Sequence, residues 1–79
     1  MRSAEEWAAM RAFKEASSNA VAARRVYDQK RATSWSWTST LERTRNQWGL
    51  AEVIRIQALV EMAAVEDRVM LARRARQSA

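Results

Sequence analysis

The acidic residues are the first place to look for chemistry, and their spacing argues against it. Acid–base or nucleophilic catalysis by carboxylates needs two groups, or a group and its activator, held within hydrogen-bond reach. Glu61 and Glu66 are five residues apart and Glu66 and Asp67 are adjacent. On a helix neither pair has the three- or four-residue spacing that makes side chains neighbours. Glu5 and Glu6 have a simpler use as capping acids. The chain has no His and no Cys. An imidazole base, a thiolate nucleophile, a CxxC redox pair, the usual iron–sulfur ligation and a conventional structural zinc site are therefore out of reach. The single glycine, Gly49, cannot build a glycine-rich phosphate loop. These residues predict a non-enzymatic protein with no cofactor, no metal and no small-molecule substrate.

Two other residue types carry recognition rather than reaction. Trp7, Trp35, Trp37 and Trp48 are abundant for a chain of 79 residues, and each indole can bury about 150–250 Å². Tryptophan is enriched at protein-interface hot spots. Core filling and a stacking platform for bases are the competing uses. Trp35, Trp37 and Trp48 are the expected anchors at a partner surface. The basic residues form three groups: Arg24-Arg25 with Lys30-Arg31, then Arg43 with Arg45, then Arg73, Arg74 and Arg76. Nucleic-acid binding would require them to share one face, interleaved with aromatic rings. Acids scattered through the same segments favour solvated faces and helix-end complementing instead.

The elements that must position these residues read as helices. There is no proline, sixteen alanines are present, and one glycine interrupts the chain, a composition that favours long helices. Ser3-Ala4-Glu5-Glu6 has the capping-box spacing, and no breaker follows before Lys30-Arg31. The spacing predicts a first helix over 4–32. Its apolar stripe is thin: Met10, Phe13, Ala20 and Tyr27, with Ser17 and Arg24 interrupting and Trp7 and Val21 at one edge. Residues 33–40 are Thr-Ser-Trp-Ser-Trp-Thr-Ser-Thr. Hydroxyl side chains compete for backbone hydrogen bonds and branched and aromatic residues lose rotamer freedom in a helix, so this segment reads as a connector.

A second capping box, Ser39 to Glu42, predicts a helix over 41–76 with a kink or break expected at Gly49. Two stripes run along it. Ala51, Ile54, Ala58, Met62, Val65, Val69 and Ala72 form one, with Ile54, Met62, Val65 and Val69 expected as the packing seam. Val53, Ile56, Val60, Ala64 and Leu71 form the other, interrupted by Asp67, with Val53, Ile56 and Val60 as a second contact face. A helix packed on one neighbour needs a single apolar stripe. Two stripes predict burial on two sides, which one thin partner helix cannot supply.

Size and charge point the same way. A chain this short forms one domain at most and rarely draws more than about 3–5 kcal/mol from its own core. Fourteen basic and nine acidic residues give a net charge of +5, an attraction to anionic surfaces that does not choose between protein and nucleic acid. No apolar run reaches membrane-spanning length and Glu5 and Glu6 spoil a signal peptide, so a cytoplasmic or particle-associated protein is expected. The sequence predicts an all-α helical hairpin, one helical domain completed by self-association or a protein partner. Its expected role is a structural or adaptor subunit, and a small viral or phage component fits that build. The alternative is nonspecific nucleic-acid binding through Arg24, Arg25, Lys30, Arg31, Arg73, Arg74 and Arg76.

Overall fold

A computed structural model describes residues 2–33 and 38–78. Two helices, α1 (Ala4–Thr33, 30 residues) and α2 (Ser39–Ser78, 40 residues), fold back on one another as a helical hairpin. The result is a rod of 66 × 16 × 13 Å.

Each helix starts where its side chains can satisfy the first free N–H groups. At α1 the Glu6 N–H donates to Ser3 Oγ at 3.2 Å, and the Ser3 N–H donates to Glu6 Oε1 at 3.0 Å. This is the reciprocal capping box expected at Ser3. At α2 the cap falls one residue earlier than the Ser39 box. Thr38 Oγ1 accepts from the Leu41 N–H at 3.1 Å, and its carbonyl accepts from the Glu42 N–H at 3.0 Å. Acids in the first turns, Glu5, Glu6 and Glu42, and cations in the last, Lys30, Arg31 and Arg76, complement the helix dipoles. α2 runs through Gly49 as one helix, so the expected break is absent. The remaining turns hold the helix despite the roughly 1 kcal/mol preference for alanine.

The two helices meet along a seven-residue repeat. Glu6, Ala9, Phe13, Ala16, Ala20, Ala23 and Tyr27 are the buried and half-buried positions of α1 at alternating spacings of three and four. Leu41, Thr44, Trp48, Ala51, Arg55, Ala58, Met62, Val65 and Val69 play the same part in α2. That spacing is the seam of a coiled coil. It corrects the stripes drawn from residue type alone. Met10 and Ser17 lie at the margin of the α1 seam, and Ala9, Ala16 and Ala23 occupy it. In α2, Ile54 is 48% exposed and Arg55 takes the seam position, its charge carried by Glu52 at 3.0 Å. Periodicity, not hydrophobicity of the single residue, decides which side chain turns inward.

An alanine seam buries little. Val65, 2% exposed, is the one large side chain fully enclosed among the described residues. Exposed ion pairs add a small contribution at the open end. At the open end Arg68 bridges Glu5 at 2.9 Å and Glu61 at 3.5 Å, and Arg73 lies 3.9 Å from Glu6.

Candidate functional site

Opposite its seam, α2 presents a second apolar face to solvent. Val53, Ile56, Val60 and Met70 follow one another with Ala63 and Asp67 at spacings of three and four, and all four apolar side chains are exposed. Leu50, Ile54, Leu59 and Leu71 widen the stripe on either side. Val60, at its middle, is 64% exposed. The stripe from Leu50 to Leu71 extends over about 30 Å at 1.5 Å per residue. α1 differs in mixing its exposed apolar side chains, Trp7, Val21 and Val26, with polar outward positions such as Arg11, Glu15, Ser18, Arg25 and Gln29. The apolar surface is concentrated on the longer helix.

The seam explains why this face is left open. A hairpin of two helices buries one stripe of each, so the second stripe of α2 lies on the far side from α1. Val53, Ile56 and Val60, the expected second contact face, are brought together there. Of the expected packing seam, Met62, Val65 and Val69 turn toward α1, and Ile54 stands beside the outer stripe. Leu50, Leu59 and Met70 were not singled out by residue type. Their signal lay in the repeat, since each falls on the flank or line of the same arc.

The tryptophans divide. Trp48 is half-buried and stacks on Tyr27, so its ring is engaged within the hairpin. Its indole N–H is buried with no hydrogen-bond partner among the described residues. Trp7, which the sequence set at the edge of the α1 stripe, is 52% exposed. With Met10, Phe13 and Met62 it lines an open hollow of about 400 Å³. Trp35 and Trp37 lie outside the described residues.

The basic groups do not converge. Lys30, Arg31, Arg43 and Arg45 sit toward the connector end of the rod, whereas Arg73, Arg74 and Arg76 sit at the other. Several are already engaged: Arg24 lies 3.8 Å from Asp28 and 5.7 Å from the Trp48 ring centre, and Arg31 Nη1 donates to Tyr27 Oη at 3.0 Å. Arg25 lies on the exposed side of α1.

No group of three or more acidic side chains able to hold a metal occurs among the described residues. Among them no helix is long and apolar enough to cross a membrane. Comparison with protein-family models, curated proteins and solved structures finds no match.

Proposed function

We propose that this chain is a structural or adaptor subunit that assembles with protein through the outer face of α2, as a component of a larger particle or complex. The observation that carries this reading is the unpartnered stripe around Val53, Ile56 and Val60, on a hairpin whose internal seam is alanine at six of its sixteen positions. Contiguous exposed apolar surface on a small protein marks an interaction site, and covering it supplies the burial that the core lacks.

Nonspecific nucleic-acid binding has less behind it, since the arginine groups lie toward opposite ends of the rod and acids intervene. The solution mass of the purified chain, with its ultraviolet absorbance, separates the two. A defined multimer free of nucleic acid, nearly indifferent to salt, is the expected result. Copurifying nucleic acid whose affinity falls steeply with salt would favour the arginines over the apolar stripe.

A further inference from the structure

We infer that the flank of α1 is a second docking surface, a groove that takes an acidic amphipathic helix of a partner protein.

The groove follows from the spacing of large and small side chains on α1. Phe13, Ser17 and Val21 form one row four residues apart, and Lys14, Ser18 and Ala22 form the next. The channel between two such rows receives the ridge of another helix. These six residues, with Arg25, line an open hollow of about 530 Å³. Phe13 and Lys14 also line the hollow of about 400 Å³ beside Trp7, Met10 and Met62, so the two hollows form one groove. From Trp7 to Arg25 it extends over about 27 Å at 1.5 Å per residue. Trp7 and Val21, its largest exposed apolar side chains, stand at the two hollows.

Charge selects the occupant. Arg11 and Lys14 edge the first hollow, Lys14 and Arg25 edge the second, and no acid lines either. All three cations are exposed, and none has an ion-pair partner among the described residues. Glu15 is the one acid between Trp7 and Arg25 on α1, and it falls about 200° around the helix from Phe13, away from α2. On α2, Glu52 is joined to Arg55 at 3.0 Å, and neither Glu52 nor Glu66 lines the groove. An apolar ridge flanked by carboxylates satisfies floor and rim together. A nucleic acid would set phosphates over Met10, Phe13 and Val21, and a second copy would bring a net charge of +5 to a cationic rim.

The spacing of the hollows sets the pattern of the partner. Their centres are about eight residues apart along α1, or about 12 Å. The partner helix therefore presents two large apolar side chains about two turns apart, with acids on either side.

The test is fluorescence anisotropy of a labelled, alanine-based synthetic helix of about eighteen residues, with leucines two turns apart and glutamates flanking them. It should bind the full chain. Replacing its glutamates with lysines, or its leucines with alanines, should weaken binding about tenfold or more. On the protein, Trp7→Ala and Lys14→Glu should each weaken it about tenfold, with helicity kept because both side chains are exposed. Val60→Glu should bind the peptide as the wild type does, so a failure of the outer α2 face leaves the groove standing. A peptide that does not bind, or binds as well after either replacement, would overturn the assignment. So would binding indifferent to Trp7→Ala and Lys14→Glu, or binding lost with Val60→Glu. Trp7-dependent binding to phosphatidylglycerol vesicles or single-stranded DNA, tighter than the peptide's, would overturn it in favour of a membrane or a nucleic acid. A wild-type multimer dissociated by Lys14→Glu would put a second copy in the groove instead.

Discussion

Tyr27 and Trp48 stack across the hairpin, with ring centres 5.4 Å apart and planes inclined by 26°. The Arg24 guanidinium lies 5.7 Å from the Trp48 ring centre, and Arg31 donates to the tyrosine oxygen at 3.0 Å. The aromatic pair and Arg24 thus tie the last third of α1 to the first third of α2, and Arg31 holds the tyrosine from within α1. Ala20, Ala23 and Ala51 occupy neighbouring seam positions, and buried Thr44 and Leu41 continue the seam toward the start of α2.

Trp48→Ala should therefore lower hairpin stability by about 2 kcal/mol, below the 3–5 kcal/mol of a fully buried ring because Trp48 is half-buried. Trp48→Phe keeps the stack and removes the unpartnered indole N–H, so it should cost under about 1 kcal/mol. Thermal unfolding followed by circular dichroism checks both. Equal losses would show that the full width of the indole, which phenylalanine lacks, carries the contribution.

The open end depends on the Ser3–Glu6 box. Ser3→Ala should cost about 1 kcal/mol, the usual value of a lost N-cap. The Ser3 backbone N–H holds the Glu6 carboxyl below its ordinary 4.5; burial works against it, and Arg73, the Ser3 hydroxyl and Arg2 reinforce it. Because the folded pKa is the lower one, this contribution is complete above the ordinary carboxylate range. It is lost as pH falls from about 4.5 through the depressed value. Acid titrations of helicity should show a shallower loss over that window in Glu6→Gln than in the wild type.

Gly49 lies inside α2 with open space around it. Gly49→Ala should stabilise the isolated hairpin by about 1 kcal/mol, measured as a higher midpoint of thermal unfolding in the Val60→Glu background, where association does not contribute. A loss of stability there would mean that the backbone at this turn departs from regular helix.

What the sequence made legible was local or strongly periodic. The Ser3 box was readable because its partners are three residues apart. The outer stripe was readable because Val53, Ile56 and Val60 are too apolar for a solvated face. The inner seam was harder. Alanine is both the best helix former and a common seam residue, so Ala9, Ala16 and Ala23 looked like filler, and Met10 drew the stripe aside. Arg55 displaced Ile54 from the seam because the seven-residue repeat fixes orientation and a neighbouring glutamate carries the charge. Trp48 read as a partner anchor since its mate, Tyr27, is distant in sequence and only the hairpin register brings the rings together. Thr38 took the cap from Ser39 by a shift of one residue, within the ordinary uncertainty of helix ends.

The most direct test of α2 as an assembly surface is the solution mass of the wild type and of Val60→Glu, by light scattering after size exclusion in about 0.15 M salt, where screening reaches about 8 Å. Val60 is exposed in the hairpin, so the substitution should leave helicity largely intact. An uncompensated charge in an apolar contact should weaken association by about a hundredfold or more. A wild-type multimer and a helical Val60→Glu chain near 9.1 kDa are the expected pair. A Val60→Glu chain that assembles as the wild type does would contradict the outer face as the surface that holds the assembly together.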